Sequence, residues 1–257
     1  MFVDSHAHLD SPDFEIDLKA VFRRSKDAGI ESVLSIGCTQ SEILSLSKFT
    51  ELLTHDQIYG AAGVHPHDAH CYSETLGEQI AALMQHPKVL GWGEIGLDFY
   101  YDHSSRPQQI DVFRKQLRLA RTLGQPVIIH SREAADMTCR ILEEEFSDGP
   151  GGILHCFVEQ LSIAQRCIPL GFYISFGGIL TFKNSADLRN TARQIRRDRV
   201  LIETDSPYLA PVPFRGKRNE PSFVLKVAET LADVWEMSSQ EVGALTTDNF
   251  KKLFGMC

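Results

Sequence analysis

Eight short apolar segments alternate with longer amphipathic segments along the whole chain. The short segments are rich in β-branched and aromatic residues, which favours strands over helices. The intervening segments carry apolar residues at helical spacing, and two helical segments follow the last strand. Strands that alternate with helices predict a parallel sheet. The predicted strands span residues 2–6, 32–37, 58–64, 89–96, 126–130, 152–157, 172–178 and 200–205.

The number of these units limits the possible folds. Eight strand–helix units in 257 residues suggest closure into a TIM barrel, an α/β fold of about 250 residues. The rival is an open, doubly wound sheet, which normally carries a glycine-rich dinucleotide turn after the first strand. This chain has S-H-A-H-L-D at that place. We therefore expect a single (β/α)8 TIM-barrel domain, with eight parallel strands and outer helices, over residues 1–257.

The charge and hydropathy of the chain limit its partners. A net charge of −8 argues against the broad basic surface that coats nucleic acid, so a polyanion would be held locally by a few basic residues or by bound cations. No apolar run reaches the length of about 18 residues that spans a bilayer, and the first residues lack the pattern of a signal peptide. We expect a cytoplasmic protein without membrane association, and the sequence indicates no protein partner.

Residues of metal-ligand type recur where the predicted strands end. Each alone has an ordinary structural interpretation, such as a hydrogen-bonded core histidine or a helix cap. The strand ends of a TIM barrel meet at one mouth, however, and several imidazoles and carboxylates buried there without a cation would be costly. We therefore predict a metal centre built from His6 and His8 (strand 1), Glu94 (strand 4), His130 (strand 5), His155 (strand 6) and Asp205 (strand 8).

The number of predicted ligands indicates how many ions are bound. Six ligands are too many for one tetrahedral ion that keeps an open position, but they fit two ions bridged by a carboxylate and a water. Imidazole and carboxylate donors suit Zn, Mn, Co or Mg. Glu94 is the predicted bridge, because a carboxylate has two oxygens to share and the Glu94 strand lies between the others. The expected cofactors are thus two divalent cations.

Several motifs together resemble the TatD family of metal-dependent deoxyribonucleases, within the amidohydrolase-like barrels. The resemblance covers essentially the whole chain in the family's order, and the last motif is far more specific than the H-x-H of the first. The motifs are DSHAHLD (4–10), GVHPH (63–67), GEIGLDFYY (93–101), HSREA (130–134), HCF (155–157), SFGGILTF (175–182) and ETDSPYLAPVPFRGKRNEP (203–221).

This resemblance implies a TIM-barrel hydrolase that acts on DNA, with exonuclease or endonuclease activity. It also implies how the predicted ligands are divided between two divalent cations. One ion would be held by His6, His8, Glu94 and Asp205, and the other by Glu94, His130 and His155.

Other residues near the strand ends have two possible roles each. We expect Asp205 to accept the proton of the attacking water as well as to bind metal, so that Asp205 and Glu94 are the predicted catalytic residues. Glu203 either orients a histidine ligand or pairs with a buried Arg or Lys. His65 either contacts a phosphate or leaving group or is structural.

The densest basic cluster consists of Arg215, Lys217 and Arg218. We predict that these residues bind phosphates of the substrate. The alternative is a solvated loop held by Glu220. The aromatic residues 99–101 either stack against bases or pack within their loop.

Three other functions fit part of this sequence pattern. Lactonases, phosphotriesterases and cyclic amidases share the barrel, but many bridge their metals with a carboxylated lysine on strand 4, where GWGEIG contains Glu94 and no lysine. A mononuclear zinc deaminase would need fewer ligands. An inactive, metal-stabilised binding protein would bind metal and turn over no phosphodiester, lactone or amide.

Overall fold

A computed structural model describes residues 1–38 and 46–256 of the chain. Eight strands pair in chain order, each parallel to the next, as the sequence predicts for a TIM barrel. The strands are β1 (Phe2–Ala7), β2 (Ile30–Cys38), β3 (Ile58–Gly63), β4 (Val89–Asp98), β5 (Val127–Arg132), β6 (Gly152–Leu154), β7 (Phe172–Phe176) and β8 (Val200–Ile202).

The helices lie between the strands and after the last one. In the described part of the chain, none of them combines the length and apolarity needed to cross a bilayer. The sequence also predicts a helix over residues 41–53, of which residues 41–45 lie outside the described residues. The helices are α1 (Leu18–Asp27), α2 (Leu46–Leu52), α3 (Glu74–Leu83), α4 (Arg106–Thr122), α5 (Ala135–Glu145), α6 (Leu161–Cys167), α7 (Ala186–Gln194), α8 (Val224–Trp235) and α9 (Ser239–Leu253).

Local sequence signals account for several helix ends. Pro107 lies in the first turn of α4, where its missing N–H costs nothing, and Gly124 follows the helix with a φ of 65°. Helix α9 begins with a capping box: the Ser238 hydroxyl accepts the N–H of Glu241, and the Glu241 side chain accepts the N–H of Ser238. Helix α9 packs against β1 and β8, the two strands that close the barrel.

Two apolar clusters form the core. The larger one lies between the sheet and the helices. The smaller one joins residues of seven strands and one residue of α9, as expected for the packed interior of a barrel. Its members are Val3, Leu34, Ile36, Ala61, Ile128, Ile153, Tyr173, Leu201 and Phe250.

The barrel closes between β1 and the segment that follows β8. Ala7 forms a parallel bridge with Ser206. The N–H of His8 donates to the Ser206 carbonyl at 2.7 Å, and the N–H of Asp205 donates to the His6 carbonyl at 2.9 Å. These bonds hold His6 and His8 against a segment nearly 200 residues later in the chain, which prevents the fraying expected of a free terminus.

Strands β3, β6, β7 and β8 end earlier than predicted, and for β6 and β8 the difference affects predicted ligands. We predicted that His155 lies in strand 6 and that Asp205 ends strand 8, but β6 ends at Leu154 and β8 at Ile202. Cys156 (φ 45°) and Asp205 (φ 58°) adopt left-handed conformations that an extended strand cannot contain. Both predicted ligands therefore lie on the connections just beyond their strands, still at the mouth of the barrel.

Candidate metal centre

Four side chains converge at the mouth: His6 on β1, His8 just after β1, Glu94 on β4 and Asp205 on the β8 connection. His6 Nε2 lies 3.3 Å from His8 Nε2 and 3.8 Å from Asp205 Oδ1, and His8 Nε2 lies 3.4 Å from the same oxygen. Glu94 Oε2 lies 3.3 Å from His6 Nε2 and 3.7 Å from His8 Nε2. Ligands of a tetrahedral ion with bonds of about 2.0–2.1 Å are about 3.4 Å apart, so this donor set fits a divalent cation.

A second group of imidazoles surrounds the other oxygen of Glu94. Glu94 Oε1 lies 2.8 Å from His130 Nδ1 and 2.7 Å from His155 Nε2. These two ring nitrogens are 3.2 Å apart. His65 Nε2 lies 3.5 Å from the same oxygen. The two oxygens of one buried carboxylate therefore face two different sets of histidines.

Glu203 lies behind this group. Its Oε1 accepts the backbone N–H of Cys156 at 2.6 Å and lies 3.5 Å from His155 Nδ1. Among the described residues, no Arg or Lys lies within 4.0 Å of it, so of the two roles considered for Glu203 the geometry favours orienting a histidine. Its Oε2 is buried without a hydrogen-bond partner in the described chain, as expected near a site that takes a cation or water.

Asp98 is a functional candidate that the sequence reasoning missed. Its Oδ2 accepts from His67 Nε2 at 2.8 Å and from His130 Nε2 at 3.2 Å, while His130 Nδ1 faces Glu94. A carboxylate on the far nitrogen of a histidine fixes its tautomer and orientation toward a metal. The alternation of β4 contains the signal, because Glu94 and Asp98 are four residues apart and share a strand face.

The charges of the site favour the binding of positive ions. Burial acts to raise the pKa of the Glu94 carboxyl, but the imidazoles of His155, His6 and His65 outweigh it and hold the pKa well below its usual range. Burial acts to lower the pKa of His155, but Glu94 and Glu203 outweigh it and raise the pKa well above the usual value. The Glu94 carboxylate therefore remains ionised and attracts metal cations.

His65 differs from the other histidines of the site. Burial lowers its pKa to about 4, despite the nearby Glu94 carboxylate. Together with Glu94 and His130 it forms a group whose ligand atoms all lie within 4.8 Å of one another. His65 is thus neutral at pH 7 and lies among the predicted metal ligands.

The predicted phosphate-binding residues differ in whether a carboxylate already pairs with them. Arg218 donates to Asp17 Oδ1 at 2.7 Å and to the Asp13 carbonyl at 2.6 Å, so its guanidinium is already engaged. Within the described residues, neither Arg215 nor Lys217 has a carboxylate within 4.0 Å.

Arg215, Lys217 and Arg218 all line a cavity of about 450 Å³ beside the β8 connection, so the three differ in their ion pairs and not in their access to it. The Arg215 guanidinium lies 3.8 Å from the centre of the Phe182 ring. Leu209 and Ala210, shortly after Asp205 in the chain, also line the cavity. Glu220, which we considered as the anchor of this loop, accepts from Arg24 at 2.7 Å.

Comparisons with known proteins agree with the metal-dependent character of the site. A family model described as "TatD related DNase" matches residues 3–255. The chain is 42% identical over 254 residues to "Uncharacterized metal-dependent hydrolase YabD" of Bacillus subtilis, covering 99% of each chain. It is 33% identical over 257 residues to "3'-5' ssDNA/RNA exonuclease TatD" of Edwardsiella piscicida, covering 98% of each.

A solved structure is also similar over the whole chain. It is described as "YJJV, TATD Homolog from Escherichia coli k12", with a TM-score of 0.91 and 29% sequence identity. The match covers 99% of this chain and 98% of that one.

Proposed function

The chain belongs to the TatD family of metal-dependent hydrolases, and on that premise we propose that it is a nuclease that hydrolyses phosphodiester bonds in DNA. The Glu94 carboxylate carries this proposal, because Oε2 faces His6 and His8 while Oε1 faces His130 and His155. A carboxylate in that position suits a centre with two metal ions, which is common in phosphodiester hydrolysis. The relatives named as exonucleases support nucleic acid as the substrate class.

The proposed ligands form two groups, one at each carboxylate oxygen of Glu94. His6, His8, Glu94 and Asp205 would hold one cation, and Glu94, His130 and His155 would hold the other. Two bound divalent cations would lower the pKa of a bound water toward neutrality. Their positive charge would balance the negative charge that develops on the phosphate oxygens.

The remaining steps fall to side chains of the protein. Asp205 accepts the proton of the attacking water, because its carboxylate is ionised: burial acts to raise its pKa, but hydrogen bonding to His8 and the charges of the imidazoles hold it below the usual value. Asp98 and Glu203 keep the rings of His130 and His155 in orientation.

The phosphates of the substrate would be bound beside the metal ligands. His65 contacts the phosphate or the leaving group from the β3 connection, next to Glu94. Arg215 and Lys217 bind phosphates through the cavity that they line. Arg218 contributes less than the other two, because Asp17 neutralises its charge.

The alternative function is hydrolysis of a small ester, lactone or amide by the same metal centre. Many such enzymes bridge their metals with a carboxylated lysine on the fourth strand. Strand β4 of this chain contains Glu94 and no lysine.

The test compares the metal-reconstituted wild type with Glu94→Gln and with the matched control Glu78→Gln, whose carboxylate is exposed on α3. Each protein is incubated with end-labelled single- and double-stranded DNA, an aryl phosphodiester and a lactone, and its metal content is measured by elemental analysis. We expect about two ions per chain and DNA cleavage in the wild type and the control. Glu94→Gln should lose metal and at least about 100-fold in rate.

Two results would overturn the proposal. One is a metal content near zero after reconstitution of a folded protein. The other is turnover of the lactone alone, which would favour the alternative function.

A further inference from the structure

Tyr100 and Tyr101 lie exposed at the rim of the mouth, directly after β4. Their exposed fractions are 54% and 50%, which is unusual for large aromatic residues. The neighbouring Phe99 instead packs against the core. Asp98 Oδ1 accepts the backbone N–H groups of both tyrosines at 2.9 Å, so the carboxylate that orients His130 also fixes this turn.

Arg132, the last residue of β5, contacts both rings. Its guanidinium carbon lies 4.2 Å from the centre of the Tyr100 ring and 4.7 Å from that of Tyr101. The two rings are nearly perpendicular, with their centres 4.8 Å apart. Within the described residues, Arg132 has no carboxylate within 4.0 Å, so its charge remains available to an anion. We call these three residues the aromatic rim.

The aromatic rim is joined to the metal-ligand cluster by direct contacts. The Tyr101 ring lies 5.5 Å from the His67 ring, edge to face. His67 Nε2 lies 2.8 Å from Asp98 Oδ2, which also faces His130. A group on the rim is therefore separated from the predicted ligands by only one layer of side chains.

Exposed apolar side chains are concentrated at this end of the barrel. Seven of the nine large ones among the described residues lie on connections that follow a strand, and only Met1 and Leu123 lie elsewhere. Such concentration marks a surface that a ligand covers. The seven are Ile16, Tyr100, Tyr101, Val158, Tyr208, Leu209 and Val212.

We propose that Tyr100, Tyr101 and Arg132 form a subsite that binds a nucleotide flanking the bond that is cleaved. The base stacks on the exposed Tyr100 ring, since the Tyr101 ring already stacks on His103, and Arg132 contacts the adjacent phosphate. Stacking of this kind requires a base that is not already paired and stacked in a duplex, and it carries little sequence preference. This inference rests on the proposed nuclease function.

The test uses a double substitution, Tyr100→Ala with Tyr101→Ala, and the matched control Tyr100→Phe with Tyr101→Phe, which keeps both rings. The substrates are oligothymidylate, the same strand with abasic sites beside the labelled end, and methyl 4-nitrophenyl phosphate, which has no base. Binding of both strands is measured by fluorescence anisotropy, and hydrolysis of all three by initial rates.

The alanine variant should bind oligothymidylate about 10-fold or more weakly than wild type and lose the wild-type preference over the abasic strand. The phenylalanine control should retain both properties. Hydrolysis of methyl 4-nitrophenyl phosphate should change less than about twofold in either variant, because the metal ligands are intact. That last measurement separates a lost subsite from a damaged centre.

The outcomes also separate this inference from the proposed function. Equal binding of the two strands by the wild type, or unchanged binding by the alanine variant, overturns the subsite and leaves the nuclease proposal standing. If the wild type hydrolyses no phosphodiester, the nuclease proposal fails, and the anisotropy data alone decide whether the rim binds bases.

Discussion

The Asp4 carboxylate accepts two hydrogen bonds from Thr204, one from the backbone N–H at 2.8 Å and one from the hydroxyl at 2.6 Å. Both residues are buried. Asp4 precedes His6 on β1, and Thr204 precedes Asp205 on the β8 connection, so this pair fixes two of the segments that carry predicted metal ligands. The first residues can carry predicted metal ligands because the Asp4 side chain is hydrogen-bonded to the connection that follows β8.

We predict that Asp4→Ala destabilises the protein by about 2–4 kcal/mol, because it leaves the N–H and hydroxyl of Thr204 buried without an acceptor. It should also lower the metal content of the site, since His6 and Asp205 lose their relative position. The measurements are urea unfolding and elemental analysis. The exposed Asp27→Ala serves as control. Unchanged stability and metal content would show that the Asp4–Thr204 pair does not position the ligands.

Asp98→Asn should weaken metal binding by about 10- to 100-fold with little loss of stability. The amide nitrogen cannot accept from His130 Nε2, whereas the remaining oxygen can still accept the backbone N–H groups of the following turn. Titration against a competing chelator measures the affinity, and thermal melting checks the fold. Asp102→Asn, an exposed carboxylate paired with Arg106, is the matched control. Equal affinity in both variants would remove Asp98 from the metal site.

Neutralising Arg215 or Lys217 should weaken DNA binding and reduce its dependence on salt. The logarithm of the binding constant falls linearly with the logarithm of the salt concentration, and each lost phosphate contact makes this slope less steep by about one. Arg218→Gln should change this slope little, because Asp17 already pairs with that guanidinium, but it should lower stability. Anisotropy titrations over a series of salt concentrations give the slopes. A change of slope in Arg218→Gln alone would contradict the assignment of the phosphate contacts to Arg215 and Lys217.

The ion pairs of Glu145 predict a loss of stability in acid. Hydrogen bonds from Arg118 and Arg114 on α4 lower the pKa of Glu145 from 4.5 to about 2. Because the folded pKa is below the unfolded one, the stabilisation is complete above about pH 4.5 and is lost as the pH falls toward 2.

The pH dependence of Glu145→Gln tests this. At pH 7 the variant should be less stable than wild type by about 1–2 kcal/mol. This is less than the full pKa shift implies, because Arg118 is exposed and solvent screens its interaction with Glu145. The difference should shrink toward zero near pH 2 in urea titrations, and Glu78→Gln should show no such trend. A difference that does not depend on pH would show that the carboxylate acts by packing rather than by charge.

Much of the fold and of the candidate site follows from sequence patterns. The alternation of strands and helices predicted the barrel, and the strand ends predicted that six separated residues meet. Asp98 was missed although it shares a face of β4 with Glu94, and His67 was missed because a histidine in a loop has no local signal that pairs it with a strand carboxylate. The role of Arg218 also depends on Asp17, a residue 201 positions away.

The sequence by itself determined the periodicity of the elements and the chemical type of the side chains at each strand end. These are local properties, since the next few neighbours along the chain decide whether a segment extends or coils and which face is apolar. Only the tertiary structure decided that Glu94 faces one set of histidines with each oxygen, that Asp4 bonds to Thr204, and that Arg132 lies over two tyrosines. Those relationships depend on closure of the barrel and on side-chain orientation, which bring distant residues within hydrogen-bonding or packing distance and which no short window of sequence encodes.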